Sequence, residues 1–123
     1  MPEHKQHRTR VLIVEDEPII AITLEDLLVE AGFGVVGVAG KLEKALALIG
    51  SAVFEVAIVD ANLAGVSASP AVSALTARGI PFIVLSGYSP EQLPDNFFGA
   101  HFMTKPFRPD QLIQALRDIV LTQ

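Results

Sequence analysis

The sequence predicts an α/β domain built on a five-stranded, doubly wound parallel sheet. Three observations predict it. Apolar runs such as Val56–Val59 lack polar alternation, as strands buried on both faces do. Stretches with helical spacing separate those runs, and glycine or proline punctuates nearly every junction. Strand and helix therefore alternate along the whole chain, which calls for right-handed crossovers and helices on both faces of one sheet.

Residues 1–9 are polar and read as a disordered tail, with His4, Lys5, His7 and Arg8 as a weak metal or anion contact at most. Arg10–Val14 is the first strand, ending at Glu15, Asp16 and Glu17. Pro18 suits the first turn of a helix, where its missing N–H is no loss. Ile20, Leu24, Leu27, Leu28 and Ala31 form the apolar stripe of that helix, and Gly32 closes it. Phe33–Val38 is the second strand.

Residues 32–37 (GFGVVG) match the dinucleotide pattern G-x-G-x-x-G, but that motif must follow a strand and open a helix. Here it follows a helix and runs through a strand, so Gly34 and Gly37 read as a bulge or a close backbone approach. Lys41–Ile49 is a second helix stopped by Gly50, and residues 56–59 form the third strand, ending at Asp60. A small-residue loop, 61–68, leads to Ser69 as N-cap and Pro70 at the first helical position, with the third helix running to Arg78. Pro81–Leu85 is the fourth strand, ending at Ser86. The stretch 89–100 carries Pro90 and Pro94 and little helical period, so a fourth helix is short or absent. His101–Thr104 is the fifth strand. The last helix opens at Pro109 and buries Leu112, Ala115, Leu116, Ile119 and Val120.

The expected strand order is 2-1-3-4-5, the flavodoxin-like arrangement, whose crevice lies between strands 1 and 3 at their carboxyl ends. Composition narrows the chemistry further. At 123 residues the chain fits one domain, and the absence of cysteine excludes disulfides, thiol nucleophiles and thiolate metal sites. The net charge is −5, while residues 1–10 carry three basic and one acidic side chain, so the body is the acidic part and offers no basic face for nucleic acid. With neither a membrane-spanning apolar run nor a signal-peptide core, a soluble, cytoplasmic protein is expected.

Four strand ends converge on one edge of this sheet: Glu15 and Asp16, Asp60, Ser86, and Lys105. Taken singly, Asp60 and Ser86 read as turn formers and Lys105 as a solvated surface lysine. Together they read differently. Carboxylates crowded in one crevice repel one another unless a cation sits between them, and all-oxygen ligation favours Mg²⁺. A divalent cation beside a carboxylate and an ammonium suits phosphoryl transfer, with Asp60 as a carboxylate nucleophile.

The motifs VLIVEDE, VAIVDANLAG, IVLSGY and TKPF, in that order, resemble the receiver domains of two-component response regulators over nearly all of residues 10–121. The resemblance implies that Asp60 accepts a phosphoryl group from a sensor histidine kinase or a histidine phosphotransfer protein. It further implies Mg²⁺ held by Asp16, Asp60 and the backbone carbonyl of Asn62, with Glu15 acting through water. Ser86 would hydrogen-bond the phosphoryl group, Lys105 would pair with it, and the Lys105–Pro106 peptide would be cis.

Two features depart from the usual pattern. The Ser86–Lys105 spacing is a few residues short, and LPDNFFG resembles the bacterial FAT GUY receivers with a degenerate fourth helix. The aromatic switch position is Phe102 in place of tyrosine, which suits a core aromatic better than a hydroxyl that leaves for solvent. Rival readings are an aspartyl-nucleophile phosphatase, which would want an acid where Asn62 stands, and a non-phosphorylated interaction module, which would have no use for the full set of five residues. With no output domain expected after Gln123, output to a downstream protein target is expected from a surface, unless the chain is a fragment of a larger regulator. Weak homodimerisation stays open.

Overall fold

The computed structural model describes residues 8–97 and 100–121. The tail assigned to residues 1–9 therefore lies outside the described residues for all but Arg8 and Thr9, as do Phe98 and Gly99. Five strands, β1 (Arg10–Val14), β2 (Gly34–Ala39), β3 (Val56–Asp60), β4 (Phe82–Ser86) and β5 (His101–Thr104), pair in parallel in the order β2-β1-β3-β4-β5. This is the flavodoxin-like arrangement, with β1 beside β3 at the crevice.

The unbroken apolar runs have a direct structural cause. Successive side chains on a strand point to opposite faces, so each run is divided between two cores. Leu12, Val14, Ala57, Val59 and Val84 face one cluster, which includes Ala45 and Ile49 of α2 (Leu42–Ser51) and Val72 and Leu75 of α3 (Ser69–Ala77). Val11, Ile13, Ile58, Ile83 and Leu85 face the other, with Leu24 and Leu28 of α1 (Pro18–Glu30) and Leu112 and Leu116 of α4 (Pro109–Leu121). Full burial of one such aliphatic side chain contributes about 1.5–3 kcal/mol, so the sheet edge rests on a rigid base.

Several boundaries differ from the sequence reading. Ser69 is already helical and Ala68 takes the N-cap place; the Ser69 N–H donates to Ser67 Oγ at 3.1 Å while its hydroxyl is engaged elsewhere. Gly50 does not stop α2, which runs on to Ser51 because the Ala52 N–H still donates to the Leu48 carbonyl. β2 begins and ends one residue later than expected. It carries the anticipated bulge, since the register with β1 shifts between Val11 and Leu12. A Cβ on Gly37 would lie 3.1 Å from Leu48 Cδ1, so the glycine lets α2 pack closely on β2. The loop after Asp60 is a short antiparallel ribbon, Asn62–Leu63 with Val66–Ser67, turned at Ala64 and Gly65, both with positive φ. Between Ser86 and β5 the chain makes two single 3₁₀ turns, Pro90–Gln92 and Asp95–Phe97, and no α-helix among the described residues. Pro90 and Pro94 interrupt the ladder that a longer helix would need.

Candidate functional site

The carboxyl ends of β1, β3, β4 and β5 frame a cleft of about 390 Å³ whose lining includes Asp16, Asp60, Asn62, Ser86 and Lys105. Backbone bonds fix this frame. The Glu15 N–H donates to the Ala39 carbonyl at 2.9 Å, Ala61 N–H to the Leu85 carbonyl at 2.9 Å, and Lys105 N–H to the Ser86 carbonyl at 2.8 Å. The Lys105–Pro106 peptide is cis. A groove of similar volume between α1 and α4, lined by Leu27, Ile113 and Arg117 among others, has no such convergence of acids, so size alone does not mark the site.

Three polar side chains are withdrawn from solvent here: Glu15 is 2 % exposed, Asp60 6 % and Ser86 2 %. The Lys105 ammonium sits among carboxylates, 2.9 Å from Asp60 Oδ2, 3.2 Å from Glu15 Oε1 and 3.8 Å from Glu17 Oε1. Burial alone would lower the Lys105 pKa, but the contacts with Asp60 and Glu15 outweigh it and hold the ammonium above its ordinary range. Asp60 Oδ1 accepts the Asn62 N–H at 3.1 Å, and Asn62 Oδ1 accepts the Gly65 N–H at 2.7 Å. Ser86 Oγ accepts the Tyr88 N–H at 2.9 Å.

Glu15 lies beneath the cleft. Its Oε2 accepts the Glu17 N–H at 3.1 Å, while its buried Oε1 has an ionic neighbour in Lys105 but no hydrogen-bond partner. Burial, reinforced by the nearby Asp60 carboxylate, pushes its pKa up to about 7 against the lowering effects of the Glu17 N–H and Lys105. A carboxyl that binds its proton more tightly folded than unfolded stabilises the fold most at low pH. That contribution is lost as pH rises from the ordinary value of 4.5 through about 7. In chelator, the stability of Glu15→Gln is therefore expected to fall less steeply over this window than that of the parent, by at most about 1.4 kcal/mol per pH unit. Urea titrations at several pH values read the difference, and parallel profiles would remove Glu15 as its source.

Glu15, Asp16 and Asp60 each offer a carboxylate oxygen, and these atoms lie within 4.8 Å of one another. This all-oxygen set, with three carboxylates facing the single Lys105 ammonium, fits a hard divalent cation. The predicted residues do not all meet, however. Phe102 is half-buried on β5 and packs against the α2–α3 core cluster, away from the cleft lining. Glu17, Ala64 and Tyr88 also line the cleft; the sequence reading places Glu17 in the acidic cluster after the first strand without a role and gives none to the other two. Glu17 could have been suspected from its place in the acidic run; Ala64 and Tyr88 stand in loops whose course only the fold defines.

The doubly wound sheet in this strand order, with its acidic cluster at the carboxyl edge, is a flavodoxin-like fold of the CheY kind. The chain belongs to the response regulator receiver domain family, which matches residues 11–117. Domains of this family are signalling modules that interact with histidine kinases or phosphotransfer proteins. The chain is 32% identical over 111 residues to the transcriptional regulatory protein PdtaR of Mycobacterium tuberculosis, covering 87% of this chain and 54% of that protein. It thus spans about half the length of that curated relative. Among solved structures it resembles the receiver domain of PhyR from Erythrobacter litoralis, with a TM-score of 0.83 and 29% identity over 94% of this chain and 92% of that one. It also resembles SdrG from Sphingomonas melonis Fr1, with a TM-score of 0.79 and 37% identity over 92% and 97%. No helix among the described residues is long and apolar enough to cross a membrane.

Proposed function

We propose that residues 10–123 form a phosphoryl-accepting domain of a two-component or phosphorelay system, with Asp60 as the acceptor. A carboxylate oxygen of Asp60 attacks the phosphorus of a phosphohistidine on the donor protein. The P–N bond breaks, its electron pair stays on the imidazole nitrogen, and that nitrogen takes up a proton. The observation that carries this reading is the Asp60–Lys105 pair at 2.9 Å on the open sheet edge, where a nucleophile and a cation for the incoming charge stand together.

Each neighbour has a role in this scheme. The Lys105 ammonium follows the negative charge onto the transferred phosphoryl group, and the Ser86 hydroxyl donates to one of its oxygens. Asp16, Asp60 and the Asn62 carbonyl would hold Mg²⁺, with Glu15 engaged through water. When bound, that ion supplies neutralisation of the phosphoryl charge. Ser86 and Phe102 are the residues through which acceptance would reach the surface. The domain modifies only itself and turns over no separate substrate; its output is contact with a downstream protein in the cytoplasm.

The phosphatase alternative is disfavoured at Asn62, which is no acid and whose side-chain oxygen is occupied by the Gly65 N–H. Incubation with acetyl phosphate and Mg²⁺ tests the three readings. A receiver gains one phosphoryl mass that persists long enough to be measured, an interaction module gains none, and a phosphatase consumes the donor rapidly. Uptake that is absent, or equal in the presence of a chelator, would overturn the proposal.

A further inference from the structure

The segment that stands in place of a helix between Ser86 and β5 is fastened on one side. Asn96 Nδ2 donates to the Ser69 carbonyl at 2.8 Å and to Ser73 Oγ at 2.9 Å, and its Oδ1 accepts the Ser69 hydroxyl at 2.9 Å. Both ends of the amide are thereby committed to the first turns of α3. The adjacent Phe97 is buried in the core cluster that contains Val72 and Leu75 of the same helix. Nearer the site, Ser89 closes on Gln92: its N–H and hydroxyl both donate to Gln92 Oε1, at 3.0 and 3.1 Å. Among the described residues, the hydrogen bonds that the segment's own side chains make to residues outside it run to α3.

We propose that Asn96 is a latch that makes α3 move with this segment, so that occupancy of Asp60 is transmitted to α3 and not to the segment alone. This rests on the reading of Asp60 as phosphoryl acceptor. The Ser86 hydroxyl accepts the Tyr88 N–H at the start of the segment. Turning that hydroxyl to donate to a phosphoryl oxygen re-forms the Ser86–Tyr88 turn, and the displacement passes along a short chain held by two 3₁₀ turns. At its far end stands a three-bond polar clamp. Hydrogen bonds are directional and weaken steeply as the donor angle closes, so a clamp of three of them either carries α3 along or breaks. Phe97 alone would allow sliding, since apolar packing is non-directional. The clamp turns a sliding contact into a two-state one, the kind of element through which coupling travels. Asn96 itself is exposed, so its removal leaves the core intact.

Hydrogen exchange on the full chain, with and without beryllofluoride as phosphoryl mimic, tests the latch. In the parent protein the mimic is expected to change protection over residues 60–62, 86–97 and 69–76. In Asn96→Ala, residues 69–76 exchange faster without the mimic, and the mimic's effect on them is lost while its effect at 60–62 and 86–88 remains. Ser73→Ala, which opens the clamp from the other side, is expected to weaken the effect on α3 in the same direction. A purely structural role for Asn96 would shift α3 equally in both states and leave the mimic's effect on it unchanged; that result overturns the latch. So does an unresponsive α3 in the parent when residues 60–62 respond. No response at residues 60–62 in the parent would overturn the acceptor reading, and the latch with it.

Discussion

Asp60→Asn is expected to stay folded and to lose phosphoryl uptake from acetyl phosphate, with a fall in rate on the order of 10⁴-fold or more, as when a covalent nucleophile is removed. The fold should tolerate the change. The asparagine oxygen can keep the Asn62 N–H bond now made by Asp60 Oδ1. It cannot also serve Lys105 at the Oδ2 position, but the ammonium retains Glu15 at 3.2 Å and Glu17 at 3.8 Å as counter-charges. What disappears is the carboxylate oxygen able to form an acyl phosphate, because an amide is a poor nucleophile at neutral pH. Asp16 is the rival acceptor on the same edge, and it lacks the lysine contact that Asp60 has. Intact-mass measurement decides: stoichiometric uptake by the variant would move the acceptor elsewhere.

The parts legible in the sequence share a physical cause. Runs such as Val11–Val14 and Val56–Val59 are apolar at every position because the sheet is covered on both faces, and both are buried throughout. Pro18, Gly32 and Gly79 mark helix ends through their own backbone preferences, and the two glycines adopt φ of +97° and +69°. These signals are local. The features that were not legible depend on partners far along the chain. Ser69 reads as an N-cap, yet its hydroxyl is engaged by Asn96, 27 residues away. Glu15 and Asp16 are adjacent acids with different fates: one is buried under Lys105, the other half-buried on the cleft wall. The two-residue ribbon after Asp60 is too short for any period to reveal. Pro90 and Pro94 foretold the loss of the helix but not the polar clamp that fastens its replacement to α3.

Asp16→Ala is expected to remove Mg²⁺-dependent phosphorylation while leaving the domain folded, and to do so without weakening the metal-free protein. The charges on the edge are unevenly matched. Lys105 is shared by Asp60, Glu15 and Glu17, and among the described residues no cation lies within ion-pair distance of Asp16. Its carboxylate therefore adds repulsion to a site that already holds Glu15 and Asp60, with ligand atoms within 4.8 Å. Like charges at this range disfavour one another by an amount that solvent access to the cleft reduces but does not abolish. Deleting Asp16 relieves that repulsion, so the melting temperature in chelator should hold or rise. The same deletion removes one of few protein ligands from a site of the kind Mg²⁺ occupies with several waters retained, and affinity should fall sharply. The two effects separate in thermal melts. For the parent, Mg²⁺ at ten times its dissociation constant should stabilise the fold by about 1.4 kcal/mol through mass action. In Asp16→Ala, that Mg²⁺-dependent rise should vanish together with phosphoryl uptake. A variant that melts lower in chelator and still responds to Mg²⁺ as the parent does would show that Asp16 supports the fold and not the metal.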